Sequence, residues 1–101
     1  MDLVITTGGT GISPTDVTHR ETSSILTRQI PGIAELIRQH GFSKGVFNAA
    51  LSSGVAGTRG TTLIINLPGS KSGVTDGMEI LSGILLHALD QISGADHQRK
   101  E

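Results

Sequence analysis

The sequence contains no cysteine, no tryptophan and no tyrosine, and its only aromatic side chains are those of Phe42 and Phe47. Without cysteine, the chain can form neither a disulfide nor a thiolate metal site, which fits a reducing compartment. Aromatic residues make up 2% of the chain, which argues against a nucleic-acid surface built on base stacking. The hydrophobic core must therefore be built from isoleucine, leucine, valine and alanine.

The sequence also lacks an excess of basic charge and any long apolar segment. Its formal net charge is −1, whereas proteins that bind a phosphate backbone usually carry a basic face. No apolar run approaches the roughly 20 residues that span a bilayer, and the N-terminus does not show the basic and apolar regions of a signal peptide. We therefore expect a cytoplasmic protein that binds neither nucleic acid nor a membrane.

The chain of 101 residues is expected to form one domain, residues 1–94, followed by a polar tail, residues 95–101. Two short apolar runs rich in β-branched residues, Leu3–Ile5 and Thr62–Leu67, predict buried strands. Helical patterns lie between these runs and after them. This alternation predicts an α/β domain with a mainly parallel sheet.

Two of the helical patterns are well marked. Thr18 and Glu21 have the spacing of a capping box, which predicts a helix that begins at His19. Apolar residues recur at steps of four and three from Val74 to Ile92, which predicts one long final helix capped by Ser72.

A glycine-rich loop follows the first predicted strand. Gly8, Gly9 and Gly11 allow backbone N–H groups to approach a phosphate without interference from a Cβ atom. The loop is neither a P-loop nor a dinucleotide fingerprint, because no Gly-Lys-Ser/Thr follows and Pro14 replaces the third glycine. The pattern therefore also fits an ordinary strand-to-helix turn. Hydroxyl groups that could bind an anion there belong to Thr6, Thr7, Thr10 and Ser13.

A second loop, Pro68–Ser72, follows the second predicted strand. Because ligands bind at the carboxyl ends of strands in such sheets, we expect both loops at one edge. Asp16, just after the glycine loop, could bind Mg²⁺ together with substrate phosphates. From the residues alone, a role for Asp16 in capping the next helix is favoured over a role in binding Mg²⁺. The serines near these loops are candidate donors or ordinary turn residues: Ser52, Ser53, Ser70 and Ser72.

Three segments together resemble the molybdopterin-binding domain family of molybdenum cofactor biosynthesis. They are TTGGTGISPTDVT, PGIAELIR and LSSGVAGTRGTTLIINLPGS. The resemblance implies a three-layer α/β/α fold with a mainly parallel sheet and a homo-oligomer, a trimer or hexamer. It also implies a reaction in which MgATP adenylylates molybdopterin and pyrophosphate is released. A non-catalytic molybdopterin-binding or scaffold module, or a truncated fragment, is the alternative.

The resemblance also assigns residues to a site. It gives Asp16 a catalytic role and a role in binding Mg²⁺. Glu35 matches a glutamate that faces the pterin. The remaining residues implied to contact ATP or molybdopterin are Thr7, Gly8, Gly9, Thr10, Gly11, Ser13, Ser52, Pro68, Gly69, Ser70 and Lys71.

The sequence departs from the family pattern at two positions where relatives often carry arginine. Thr15 precedes the aspartate and Ser53 follows Ser52, so two cations that would bind phosphate are absent. Family members also begin with a further strand–helix–strand segment that carries a second acidic residue. We therefore expect this chain to match the carboxyl-terminal portion of the family domain. The cations expected to compensate are Arg20, Lys44, Arg59 and, best placed of these, Lys71.

Overall fold

The computed structural model describes residues 1–94, and the expected polar tail lies outside the described residues. The strands are β1 Leu3–Thr7, β2 Arg28–Gln29, β3 Ala56–Arg59 and β4 Thr62–Leu67. The helices are α1 Thr18–Ile25, α2 Pro31–Ser43, α3 Lys71–Leu81 and α4 Leu85–Ser93, with a 3₁₀ helix at Phe47–Leu51. Across residues 1–94, every helix falls short of the length and apolar character that a membrane span requires.

The four strands form one sheet in the order β1-β4-β3-β2. The expected parallel pairing holds for β1 and β4, from Leu3 opposite Leu63 to Thr7 opposite Leu67. The other two pairs, β3 with β4 and β2 with β3, are antiparallel. The α/β class is thus confirmed, and the described sheet is mixed.

The antiparallel pairing of β3 and β4 has a local cause. Only Gly60 and Thr61 connect Arg59 to Thr62, which are partners in the register. A parallel pair needs a crossover of a dozen or more residues, whereas two residues suffice for a hairpin. Gly60 has a φ of 59°, a left-handed conformation that glycine adopts without a steric penalty.

The core lies against one face of the central strand β4. Leu63, Ile65 and Leu67 alternate along that face and are fully buried, as is Leu81 of α3. Ile33 and Ile37 of α2 and Ala56 of β3 complete the cluster. Each such side chain contributes about 1.5–3 kcal/mol on burial, so this face supplies the main apolar stabilisation.

Asn66 on the opposite face of β4 connects the sheet to α1. Its Nδ2 donates to the hydroxyls of Thr6 in β1 (2.8 Å) and Thr22 in α1 (3.1 Å). Its Oδ1 accepts from the N–H of Val55 (3.1 Å). Because α1 packs on this face while α2, α3 and α4 contact the core face, the helices form the two outer layers of an α/β/α arrangement.

The expected capping box does not form at the start of α1. The Thr18 hydroxyl donates to the carbonyl of Gly8 (2.8 Å) and the Thr18 N–H to that of Gly9 (3.1 Å). The residue at the N-cap is Val17, which makes no side-chain cap. The glycine loop thus takes the polar groups of Thr18 that a local cap would have used.

The prediction of a single long final helix is also wrong. The chain makes α3 and α4, separated at residues 82–84, where Gly83 weakens helical continuity. Ser70, and not Ser72, caps α3, because its hydroxyl accepts from the N–H of Gly73 (3.0 Å). Gly94 ends α4 in the left-handed conformation, with a φ of 83°.

We predict that Asn66→Ala lowers the free energy of unfolding by about 3 kcal/mol, because it removes one buried and two partly buried hydrogen bonds. Urea denaturation would measure the change. The matched control is Gln39→Ala on the exposed face of α2, which should cost less than about 0.5 kcal/mol. Equal small losses for both variants would contradict the central role given to Asn66.

Candidate functional site

The glycine loop leaves the end of β1 and crosses the end of β4. The N–H of Gly8 donates to the carbonyl of Leu67 (3.1 Å). Gly8 and Gly9 have φ values of 90° and 68°, which residues with a Cβ atom rarely adopt. The glycine loop also touches the loop that follows β4, because a Cβ atom on Gly69 would lie 3.0 Å from the Cα of Gly8. The two loops expected at one edge of the sheet are therefore in contact.

A cavity of about 560 Å³ opens between these loops, α2 and the 3₁₀ segment. Six of the residues assigned from the sequence line it: Thr10, Gly11, Ser52, Pro68, Gly69 and Ser70. The remaining assigned residues lie outside its wall: Thr7, Gly8, Gly9, Ser13, Asp16, Glu35 and Lys71. Of these, Gly8 and Gly9 shape the loop, whereas Glu35 and Lys71 are exposed.

Asp16 closes the glycine loop and does not cap α1. Its Oδ2 accepts from the hydroxyl of Ser13 (2.7 Å) and from the N–H of Ser13 (3.1 Å). These two bonds, the hydroxyl one first, hold the pKa of the Asp16 carboxyl below its ordinary value of 3.8, and a weaker backbone bond from Gly11 acts in the same direction. Asp16 is therefore a carboxylate at neutral pH, the form that binds a cation.

Ser53, one of the two positions where the family resemblance implies an arginine, joins residues 52–54 to the glycine loop. Its hydroxyl donates to the carbonyls of Thr10 (2.9 Å) and Gly11 (3.0 Å), and its N–H donates to Thr10 as well (2.6 Å). Three bonds to adjacent carbonyls fix the spacing between the two segments. The serine thus has a structural role at this position.

None of the four cations expected to compensate for the missing arginines lines the cavity. Arg20 pairs with Glu21 on the surface of α1, and Arg59 donates to the carbonyl of Ile25. Lys71 is exposed at the start of α3. Lys44 lies in an ion-pair cluster with Asp76 and Glu79.

That cluster joins α2 to α3. The ammonium of Lys44 lies 3.0 Å from Glu79 Oε2 and 3.6 Å from Asp76 Oδ1. The hydrogen bond between Lys44 and Glu79 raises the pKa of the lysine and lowers that of the glutamate. His40 completes a set of potential metal ligands with the two carboxylates. Because the ammonium contacts both carboxylates of α3, the cluster acts as a link between the helices.

Arg38 is the basic residue of the cavity wall that the sequence analysis missed. It is half-buried on α2, and its Nη1 donates to the carbonyls of Ser52 (3.3 Å) and Gly54 (3.1 Å). A signal was present, because Arg38 stands four residues after Ala34 and three before Gly41, both of which are buried. Residues at that spacing share a helix face, and an arginine on a buried face is unusual.

We predict that Ser13→Ala raises the pKa of Asp16 towards its ordinary value, because it removes the hydrogen bond with the largest effect. NMR titration of the Asp16 carboxyl would measure it, with Ser24→Ala as control, since the Ser24 hydroxyl bonds Glu21 instead. In the wild type the depressed pKa favours folding above the unfolded pKa, and this contribution is lost as the pH falls through the folded value. An unchanged pKa in Ser13→Ala would contradict this account.

The chain is similar to proteins of molybdenum cofactor biosynthesis. A family model described as a probable molybdopterin binding domain matches residues 1–87. The molybdenum cofactor synthesis protein cinnamon of Drosophila melanogaster is 39% identical over 89% of this chain and 15% of the relative. A molybdopterin adenylyltransferase of Helicobacter pylori is 39% identical over 92% of this chain and 52% of the relative. The chain thus spans about half the length of the Helicobacter pylori relative and a smaller part of the Drosophila one.

A solved structure shows the same fold at higher identity. The molybdopterin biosynthesis Mog protein of Mycobacterium ulcerans superposes with a TM-score of 0.88 and 54% identity, over 91% of this chain and 60% of the Mog chain. The chain belongs to the molybdopterin-binding domain family.

Proposed function

We propose that this chain acts in molybdenum cofactor biosynthesis and binds molybdopterin in the cavity between its two loops. One observation carries the proposal: the glycine loop and the Pro68–Ser70 loop meet at the carboxyl ends of the parallel pair β1 and β4. That is where α/β sheets bind ligands. The names of the similar proteins, which refer to molybdopterin and its cofactor, support this choice of ligand.

The cavity wall suits a ligand with an apolar body and a phosphate. Ile12, Ile37 and Leu51 supply apolar surface. The N-terminal end of α3 opens into the cavity through Ser70 and Gly73, and the first N–H groups of a helix have no partner within it. Such a helix end favours negative charge. The phosphate of molybdopterin is the group that this end would bind.

We further propose that the chain transfers an adenylyl group from MgATP to molybdopterin. An oxygen of the terminal molybdopterin phosphate attacks the α-phosphorus of ATP and forms a new P–O bond. The bond from that phosphorus to the bridging oxygen breaks, and pyrophosphate leaves with the electron pair. Such a reaction depends on positioning and charge neutralisation. Asp16, ionised at the end of the glycine loop, is the carboxylate that would bind the Mg²⁺ brought with ATP.

A second candidate function is molybdopterin binding without turnover. The observation that favours it concerns the carboxylates that could bind a metal ion. Within residues 1–94, the set of three potential metal ligands contains Asp76 and Glu79, both paired with Lys44, and does not contain Asp16. A binding module needs the loops and the cavity but no second carboxylate.

Incubation of the wild-type chain with molybdopterin, ATP and Mg²⁺ distinguishes the two candidates. Chromatography would detect adenylylated molybdopterin, and fluorescence titration would measure binding. Product formation supports the transferase, whereas binding without product supports the binding module. Absence of molybdopterin binding contradicts both.

For a catalytically active chain, we predict that Asp16→Asn lowers turnover at least about tenfold, because the charge on the metal ligand is lost. Binding of molybdopterin should change less than about threefold, since Asp16 lies outside the cavity wall. Asp2→Asn, an exposed change near the N-terminus, is the matched control. Loss of binding in Asp16→Asn without a separate effect on rate would contradict the catalytic role.

A further inference from the structure

The charged groups of the cavity wall are few. Arg38 and Asp76 are the charged side chains among the residues that line it. The carboxylate of Asp76 is 13% exposed and lies 3.6 Å from the ammonium of Lys44, which also pairs with Glu79. Arg38 is therefore the positive charge of this wall, and the ion pair of Asp76 is made with Lys44 from outside the wall.

The partners of Arg38 reinforce this point. Within residues 1–94, its recorded hydrogen bonds go from Nη1 to the carbonyls of Ser52 and Gly54, and no carboxylate pairs with it. A guanidinium has five N–H donors on three nitrogens, so Nη2 and Nε keep donors to offer. A half-buried cation without a counter-ion is costly unless a ligand supplies one.

The position of Arg38 also fits a ligand-binding role. The two carbonyls that it binds flank Ser53. Ser53 bonds the glycine loop, so Arg38 and that loop contact the same short segment. The N-terminal end of α3 lines the same cavity.

We propose that Arg38 is the cationic binding residue of this cavity and holds a phosphate or pyrophosphate group of the ligand. The inference rests on the proposed function, which places a phosphate-bearing ligand here. The two carbonyls hold the guanidinium at Nη1, so its remaining N–H groups are oriented before the ligand arrives. A fixed, planar donor pair is well suited to two phosphate oxygens. Arg38 thereby supplies the positive charge that Thr15 and Ser53 do not.

Inorganic pyrophosphate and adenosine are the probes that test this role. Arg38→Gln should weaken pyrophosphate binding at least about tenfold by isothermal titration calorimetry. Arg38→Lys, which keeps the charge, should recover part of that loss. Adenosine, which carries no phosphate, should bind Arg38→Gln as it binds the wild type. Arg20→Gln, at an exposed arginine paired with Glu21, is the matched control and should bind pyrophosphate as the wild type does.

A second measurement needs no variant and so does not depend on whether Arg38→Gln folds. In the wild-type chain, the side-chain N–H resonances of Arg38 should shift when pyrophosphate is added, and those of Arg20 should not. Unshifted Arg38 resonances, or equal pyrophosphate affinity in Arg38→Gln and Arg20→Gln, would overturn the inference. If Arg38 responds to pyrophosphate while the wild type fails to bind molybdopterin, the proposed function falls and the role of Arg38 in binding phosphate stands.

Discussion

The parallel pairing of β1 with β4 is the constraint on which the rest of the structure depends. The register runs without interruption to Thr7 opposite Leu67, so both strands end at the same level. The glycine loop and the Pro68–Ser70 loop must then leave the sheet side by side. Asn66 holds the pair in place from one face, through bonds to β1 and α1. A slip of one residue would turn every β4 side chain to the wrong face and would separate the loops.

Much of this arrangement could be predicted from short-range signals. The β4 run, its terminal proline and glycine, and the glycines after β1 all act through local backbone chemistry, which a sequence displays directly. Pro31 at the start of α2 and the left-handed Gly94 at the end of α4 belong to the same class. These signals place the two loops at one edge of an α/β sheet before any coordinates are known.

The features that could not be predicted depend on contacts between distant residues. Thr18 bonds the carbonyls of Gly8 and Gly9, and these bonds replaced the expected capping box. Lys44 pairs with Asp76 and Glu79 across a separation of more than thirty positions, and so it lies outside the cavity wall. Arg38 lies in the cavity wall instead, on a face of α2 that it shares with the buried residues Ala34 and Gly41. Charge placement therefore follows from packing, which a single sequence does not display.

The position of β1 at the edge of the described sheet has a thermodynamic consequence. One side of this strand pairs with β4, and the other side presents backbone donors and acceptors that a further strand can use. The same five residues lead directly into Gly8 and the glycine loop. A polypeptide that paired with the open side would restrain the entry to that loop. Association along β1 and ligand affinity would then be coupled, and each would alter the other by the same factor.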